Sequence, residues 1–382
     1  MQRCDILVRG DGAVGAAAAL ALSRAGFEVA LLGTPASPPA PAPAPVPEDV
    51  RAYALNGASV DLLRSLKVWD AIPHEARTAV HDMRIEGDAP GARLDFSAWS
   101  EAVPQLAWIV DAAALERTLR EAVRFAPHVH RVAAEIACAL TVLAEGKGSA
   151  TRARLGARMA AEPYGQHAIA ARLASDRPHA GLARQWFRSP DVLALLPIDQ
   201  PVRGHGLALV WSLPELRARE LLALEAAAFE TELMAATDGV AGHLRLASAR
   251  ASWPLAIGYA EPVIGPGWVL IGDAAHVVHP MAGQGLNLGF GDVASLAEVL
   301  AAREPWRELG DERLLARHAR RRQTPVHAMG LVTDALLQLF ASRRPLVKEL
   351  RNRGLDLVNR LPPLKHALAR QAIGRNSSGH RL

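Results

Sequence analysis

The start of the chain carries a pattern of apolar residues that is interrupted by one glycine-rich turn. Between Cys4 and Gly33, an apolar run is followed by this turn, an alanine-rich stretch and a second apolar run. Gly26 follows the alanine-rich stretch, where glycine commonly ends a helix. The pattern therefore predicts a β-strand, an α-helix and a second β-strand.

The middle of the chain changes to strand-like periodicity. From Tyr164 to Leu213, short apolar runs are separated by turn residues, which is typical of an antiparallel sheet. The stretch Pro214–Thr237 has helical spacing. Gly267–His276 predicts a buried strand, and a long helix is expected to begin near Leu286. About the last 70 residues predict only helices.

The first glycine turn has the spacing G-x-G-x-x-G. Gly10, Gly12 and Gly15 stand between the predicted strand and helix, with Ala13 and Val14 among them. In this context the first two glycines allow a tight turn and the approach of a pyrophosphate, and the third allows close packing of the helix on the strand. An ordinary glycine-rich turn is the alternative. Gly33 occupies the end of the second strand, where such sites normally carry an acid for the ribose.

A second glycine-rich segment, Gly272–Asp292, carries the other candidate chemistry. His276 and His279 are three residues apart, but no Asp, Glu or Cys cluster supplies a third metal ligand, and Pro280 disfavours a regular helix there. The segment also lacks the Lys-Ser/Thr ending of a phosphate-binding loop. An organic cofactor explains more of its residues. Asp273 ends a buried strand where it can accept hydrogen bonds from a polyol, and the helix start near Leu286 suits an anionic ring.

Several segments resemble the flavin-dependent hydroxylases of ubiquinone biosynthesis, a branch of the FAD-dependent aromatic monooxygenases. These segments are the first glycine turn, Asp49–Leu55, Gly272–Asp292 and Leu350–Gly374. The resemblance spans nearly the whole chain. It implies FAD as cofactor, with no metal and no assigned catalytic residue. The implied cofactor-binding residues are Gly10, Gly12, Ala13, Val14, Gly15, Arg51, Asp273, Pro280, Gly283, Gly285, Leu286 and Asn287.

By this resemblance, Arg51 contacts the FAD pyrophosphate, Asp273 the ribityl chain and the turn 283–287 the flavin pyrimidine edge. The family's second fingerprint, an Asp-Gly pair, reads Glu145-Gly146 in this chain. Together with Gly33, this departure bears on the use of NAD(P)H more than on FAD binding.

The expected fold class is α/β. It consists of a discontinuous, Rossmann-like FAD-binding domain, an inserted antiparallel-sheet substrate domain and a helical C-terminal region. The FAD-binding domain is predicted to comprise residues 1–75, 105–160 and 250–305, the substrate domain 76–104 and 161–249, and the helical region 306–382.

The implied reaction is hydroxylation of the aromatic ring of a prenylated phenol. NAD(P)H reduces FAD, which captures O₂ as a C4a-hydroperoxide, and the protein positions the phenol and excludes water. Two alternatives stay open. One is an FAD-dependent hydroxylase of small soluble phenols, and the other is a non-catalytic FAD-binding scaffold in a biosynthetic complex.

Side-chain roles near the substrate are less defined by the sequence. His276 and His279 either lie at the flavin edge and influence phenol deprotonation or brace the turn by hydrogen bonding. The strands that carry four further residues are expected to floor the substrate pocket, although each aromatic among these residues is more often part of a hydrophobic core than a ligand contact. The four residues are Gln166, Trp186, Phe187 and Trp211.

Composition and charge limit the class of protein further. The 382 residues are 50% hydrophobic and 21% charged, which is typical of a globular chain. Only Cys4 and Cys138 are cysteines, which excludes a disulfide framework and fits a reducing compartment. The sequence shows no signal peptide and no apolar run long enough to span a membrane. The proline-rich stretch 34–49 predicts a surface loop. We therefore expect a cytoplasmic protein.

The C-terminal region differs from the rest in charge. Residues 301–382 contain 17 Lys and Arg against 7 Asp and Glu, whereas the whole chain has a net charge of +4. Basic residues flank an apolar stripe at helical spacing. That stripe consists of Met329, Val332, Leu336, Phe340, Leu346, Leu350, Leu357 and Leu361. It predicts either peripheral contact with the inner face of the membrane or a helix packed on the catalytic domain. A quinone-biosynthesis complex is a further expected partner, and nucleic acid is not expected.

Overall fold

The computed structural model describes residues 4–33, 49–87, 92–278 and 284–341, excluding the side chains of residues 284 and 332–341. Eighteen strands are found there: β1 (Ile6–Arg9), β2 (Val29–Leu32), β3 (Ala52–Leu55), β4 (Arg77–Val80), β5 (Asp82–Glu86), β6 (Arg93–Ser97), β7 (Ala107–Asp111), β8 (Val129–Val132), β9 (Leu140–Leu143), β10 (Arg158–Ser175), β11 (Leu182–Arg188), β12 (Asp191–Ile198), β13 (Gly206–Pro214), β14 (Leu244–Leu246), β15 (Ala251–Glu261), β16 (Ile264–Gly265), β17 (Trp268–Leu270) and β18 (His276–Val277).

Eight α-helices accompany these strands in the described part of the chain: α1 (Ala13–Arg24), α2 (Gly57–Ser65), α3 (Ala112–Arg124), α4 (Ala150–Arg154), α5 (Glu215–Ala223), α6 (Ala226–Ala236), α7 (Gln284–Ala301) and α8 (Glu312–Ala341). Short 3₁₀ helices occur at Trp69–Ala71, His74–Ala76 and Gly272–Ala274. The predicted α/β fold class is confirmed.

A six-stranded sheet forms the first layer, in the order β16-β17-β9-β1-β2-β8. Strands β17, β9, β1, β2 and β8 run parallel, and β16 adds an antiparallel hairpin at the edge. Helices α1, α3 and α7 share a hydrophobic core with this sheet. The alanine-rich face of α1 is buried almost completely, because small side chains let the helix lie close to the strands.

A larger, mostly antiparallel sheet forms the second unit, in the order β18-β15-β10-β13-β12-β11-β5-β6, with β14 paired to β10. Helices α5 and α6 cover one face of it. Strand β5 pairs in parallel with β11, so the sheet joins an early segment of the chain to its middle. A small sheet, β3-β7-β4, lies at its other face, where the two sheets share a core.

Two details differ from the pattern-based expectations. The predicted helix over Pro214–Thr237 divides into α5 and α6, since Leu224 is extended and Arg250 donates hydrogen bonds to the carbonyl groups of Leu221 and Leu224. Strand β15 lies in the larger sheet, whereas the range 250–305 assigns it to the FAD-binding part. The domain ranges otherwise stay predictions.

Candidate active site

Three parallel strands end side by side, and their carboxyl ends form what we call the cofactor edge: residues 10–15, 144–147 and 271–273. Strand β9 pairs with β1 on one side and with β17 on the other. Ligands of open parallel sheets bind at the carboxyl ends of the strands. The topology therefore brings both glycine-rich segments of the sequence to one site.

The first glycine turn is packed tightly against its neighbours. Gly10 has a φ of +101°, and a Cβ atom there would lie 2.4 Å from the Ala144 carbonyl oxygen. A Cβ atom on Gly15 would lie 1.9 Å from the Gly10 carbonyl oxygen. Both positions therefore require glycine. By contrast, a Cβ atom on Gly12 would meet nothing within 4 Å.

Helix α1 begins at this turn without a capping side chain. Its N-cap residue is Gly12, and no acidic residue stands in its first turn. The backbone N–H groups of a helix start are unsatisfied within the helix and attract anions. Gly12, Ala13 and Val14 also line a cavity of about 670 Å³. This arrangement fits a bound pyrophosphate.

Asp273 points its carboxyl group toward the same cavity. The residue follows β17 and lines the cavity wall, and the carboxyl has no hydrogen bond to any described residue. Burial raises the pKa of this carboxyl above its usual range, and the charges of Lys147 and His276 only partly oppose the shift. A buried carboxylate without donors is costly, so hydroxyl groups of a ligand would supply what the protein does not.

Arg51 lines the same cavity as the glycine turn. Its guanidinium donates to Asp49 at 2.8 and 2.6 Å and to Glu116 at 3.2 Å. The hydrogen bond to Asp49 raises the pKa of Arg51 further. Arg51 lines the cavity and remains a predicted pyrophosphate contact, although its charge is shared with two carboxylates.

The start of α7 borders the cavity, whereas the side chain of Asn287 makes hydrogen bonds to other parts of the chain. Gly285 and Leu286 line the cavity. The amide oxygen of Asn287 accepts hydrogen bonds from the Asn56 backbone at 3.0 Å and from the Ser59 hydroxyl at 2.7 Å. Its amide nitrogen donates to the Ala54 carbonyl. This side chain therefore fixes α7 to α2 and β3, and Asn287 as a flavin contact stays a prediction.

His276 braces the second glycine-rich segment. Its Nε2 lies 2.7 Å from Asp292 Oδ2, which also accepts a hydrogen bond from the Gly272 backbone at 2.8 Å. Arg322 donates to Asp292 Oδ1 at 2.7 Å. Burial alone would raise the pKa of Asp292, but His276 and Arg322 outweigh it and hold the pKa well below its usual range. Of the two roles considered, bracing is the one that the contacts of His276 support.

Glu145, which replaces the Asp of the family's Asp-Gly fingerprint, also supports the local structure. Its carboxylate accepts hydrogen bonds from Arg9, Ser149 and Thr151 at 2.9, 2.6 and 2.9 Å. Burial would raise the pKa of Glu145, yet these donors lower it overall. The Glu145 carboxylate is thus engaged by protein donors. The next two residues of the same loop, Gly146 and Lys147, line the cavity.

The larger sheet walls much of the rest of the cavity, and we call this part the apolar wall. It consists of Ala170, Gln185, Val192, Ala194, Leu196, Leu209, Val210, Ser212, Trp253, Pro254, Leu255 and Ala256. Only Gln185 and Ser212 carry polar side chains there. Ser212 is 3% exposed, and neither side chain has a hydrogen bond to a described residue. The wall therefore fits an aromatic, mostly apolar ligand with one or two polar groups.

The strands expected to floor the pocket do line the cavity, while their tryptophans lie in the hydrophobic core. Trp186 and Trp211 belong to the core beneath α5 and α6, where Trp211 packs on Phe229 with ring centroids 6.1 Å apart. Gln166 donates to the Pro190 carbonyl. The same strands border the cavity through the neighbouring residues Gln185 and Ser212. Alternation along a strand was the available signal, but it does not say which face meets the cavity.

Some predicted residues lie outside the part of the chain that is described. These are Pro280 and Gly283, together with His279 and residues 342–382 of the basic C-terminal region. The predicted membrane contact through that region therefore stays a prediction. Among described residues, no helix is long and apolar enough to cross a membrane, and no group of three His, Cys, Asp or Glu could hold a metal ion.

Fold and site together define a dinucleotide-binding protein in which the nucleotide site adjoins a mostly apolar pocket. Comparison with known proteins is more specific. Residues 123–332 match the family model described as FAD binding domain. The chain is 30% identical to the 3-demethoxyubiquinol 3-hydroxylase of Escherichia coli (strain K12), over 98% of this chain and 99% of the relative. It is 31% identical to the ubiquinone hydroxylase UbiL of Rhodospirillum rubrum, over 97% and 89%.

A solved structure agrees on the fold. The crystal structure of PqsL of Pseudomonas aeruginosa, described as a probable FAD-dependent monooxygenase, superposes with a TM-score of 0.73 at 20% identity, covering 93% of this chain and all of PqsL. The chain therefore belongs to the FAD-dependent aromatic monooxygenases. Its cofactor is FAD, which this family uses with an NAD(P)H-type reductant.

Proposed function

We propose that this protein hydroxylates the aromatic ring of a prenylated phenol on the route to ubiquinone. Relatives named as ubiquinone-pathway hydroxylases align over nearly the full length of the chain. The observation that carries the proposal is the cavity itself. It runs from the cofactor edge to the apolar wall without a charged side chain on the wall, so an apolar ring and the start of an apolar chain fit it.

The chain's residues bind, orient and exclude water. Bound FAD supplies the activation of O₂, by which one oxygen atom enters the ring and the other leaves as water at the expense of NAD(P)H. Ser212 and Gln185 are the polar groups that can hydrogen-bond the phenol hydroxyl. The surrounding aliphatic residues keep water from the reacting centre, where it would divert the oxidising equivalents to hydrogen peroxide.

Deletion of the gene in its host, followed by mass spectrometry of quinone precursors, tests this function. The expected result is accumulation of a prenylated phenol that lacks one hydroxyl group, which also identifies the ring position. Re-introduced wild-type protein should remove the intermediate, whereas Asp273→Ala should not, since it loses the buried acceptor at the cofactor edge. An unchanged quinone pool would reject the proposal.

Purified protein separates this function from hydroxylation of small soluble phenols. NAD(P)H oxidation and product formation are measured with a short-chain prenylated phenol and with the same phenol lacking the chain. The apolar wall predicts a lower KM for the prenylated compound, because each buried methylene contributes about 0.8 kcal/mol. Turnover of only the unprenylated phenol would assign the enzyme to that other substrate class.

A further inference from the structure

The end of β2 lacks the acid that dinucleotide-binding domains normally carry. Strand β2 ends at Leu32, and Gly33 follows it. An Asp or Glu about 20 residues after the glycine turn commonly binds the ribose hydroxyls of the adenosine half. Gly33 offers no side chain for this contact, so the ribose needs another acceptor.

A carboxyl group from elsewhere fills the space beside Gly33. A Cβ atom built on Gly33 would lie 3.1 Å from Asp11 Oδ2 and 3.4 Å from Asp11 Cγ. Asp11 stands between the first two glycines of the turn. The backbone N–H of Gly10 donates to the Leu32 carbonyl at 2.8 Å, which ties the turn to the end of β2. The Asp11 carboxyl therefore occupies the volume that an acidic side chain at position 33 would enter.

Arg131 balances the charge of this carboxyl. It lies on β8, where it is in register with Leu31 of β2, and its Nη1 is 3.7 Å from Asp11 Oδ2. A carboxylate next to the helix start that binds a pyrophosphate would repel the phosphates if it stood alone. The neighbouring guanidinium offsets that repulsion and permits an acid at this position of the glycine turn.

We propose that Asp11 binds the adenosine ribose of FAD, in place of the acid that is missing at position 33. Its carboxylate accepts hydrogen bonds from the ribose hydroxyls, as the acid at the end of β2 does in related sites. Asp11 and Gly33 fit together in space, since a side chain at position 33 would press on the Asp11 carboxyl, with its Cβ atom 3.1 Å from Oδ2.

Binding of FAD and of an FAD analogue with 2′-deoxyadenosine to the apoprotein tests this assignment. Dissociation constants are measured by flavin fluorescence for the wild type, Asp11→Ala and Asp11→Asn. Wild-type protein should bind the deoxy analogue about tenfold more weakly than FAD, because a charge-assisted hydrogen bond is lost. Asp11→Ala should bind FAD about tenfold to a hundredfold more weakly and no longer distinguish the two ligands.

A swap variant supplies the matched control. Asp11→Ala combined with Gly33→Glu places the acid at the end of β2 instead of in the glycine turn. This variant should recover FAD affinity together with discrimination against the deoxy analogue. Gly33→Glu alone should weaken FAD binding, since its side chain meets Asp11. Asp11→Asn preserves the shape of the turn. It therefore reports the loss of FAD affinity even if Asp11→Ala does not fold.

Three outcomes would overturn the proposal. Asp11 variants that bind FAD as tightly as the wild type would show that the carboxyl makes no contact. Tighter binding would show that Asp11 only repels the phosphates. Unchanged discrimination against the deoxy analogue in Asp11→Asn would place the ribose hydroxyl elsewhere.

Discussion

The cofactor edge and the apolar wall enclose one cavity but are built differently. At the cofactor edge, charged side chains hold backbone turns of fixed geometry. Arg9 donates a hydrogen bond to Glu145, and Arg322 donates one to Asp292. The apolar wall instead consists of strand residues whose side chains meet the cavity by alternation, with only Ser212 and Gln185 polar.

This difference shows that the cofactor edge depends on precise backbone positions, whereas the apolar wall depends on the size and shape of its side chains. A dinucleotide is recognised by main-chain N–H groups and a few acceptors, so small backbone shifts matter at the cofactor edge. An aromatic substrate is held mainly by shape and exclusion of water, so the apolar wall tolerates changes that conserve volume.

Removal of Asp292, the buried acid that supports the cofactor edge through Gly272, should have the largest effect on stability. Asp292→Ala leaves the Arg322 guanidinium and the donors of His276 and Gly272 without their acceptor. Loss of one partner of a buried ion pair costs about 3–5 kcal/mol, which thermal denaturation would show as a fall of many degrees in Tm. Asp292→Asn keeps one acceptor and should lose less. A Tm within about 1 °C of the wild type, equivalent to less than about 1 kcal/mol in a chain of this length, would mean that the edge does not depend on this charge.

A pair of glycine variants separates backbone fit from space in the turn. Gly15→Ala drives a methyl group into the Gly10 carbonyl, so we expect about 1–3 kcal/mol of destabilisation and loss of bound FAD. A Cβ atom on Gly12 would meet nothing within 4 Å, so Gly12→Ala should leave the Tm of the apoprotein nearly unchanged while FAD affinity falls. Tm and the flavin content of the purified protein are the measurements. Equal stability of the two variants would contradict the packing argument.

Acid should weaken the protein through the helices behind the cofactor edge. Burial, opposed by the charge of Asp292, lowers the pKa of His318 to about 4. The unfolded chain therefore takes up a proton at His318 near pH 6.5 that the folded chain refuses, and stability falls as the pH drops from 6.5 toward 4. Between pH 6.5 and 4.5 this amounts to about 2 kcal/mol. The slope of Tm against pH should be smaller in His318→Gln, and an unchanged slope would assign the acid sensitivity to other groups.

The smallest effect is expected at the apolar wall. Ser212→Ala removes a hydroxyl with no hydrogen bond to described residues, so Tm should not change. If the hydroxyl binds the substrate, KM should rise about fivefold, as expected for about 1 kcal/mol, and a larger share of consumed NAD(P)H should end as hydrogen peroxide. Ser175→Ala is the control, since that hydroxyl donates to the Ala241 carbonyl and its loss should lower Tm without altering the peroxide share.

Local patterns predicted much of the cofactor edge. The strand–turn–helix around Gly10 and the strand that delivers Asp273 are each specified by neighbouring residues, because strand and helix periodicities and glycine turns act over a few positions. The resemblance through Gly272–Asp292 added the cofactor itself. The start of α7 at Gln284 lies two residues from the expected position.

Other features depended on contacts between distant parts of the chain. The alternation of residues in the sequence placed Trp186 and Ser212 on strands. It did not indicate which face of the larger sheet α5 and α6 would cover. The parallel pairing of β5 with β11 joins segments about a hundred residues apart, and no local pattern encodes such a register.

The sequence by itself determined the parallel nucleotide-binding unit and its glycine turns, since those depend on short-range backbone geometry. Only the tertiary structure decided that Asp11 lies beside Gly33 and that Asp292 links Gly272, His276 and Arg322. The physical reason is that a charge is placed by the packing of whole helices and strands, which fixes distances between residues that the chain order leaves far apart.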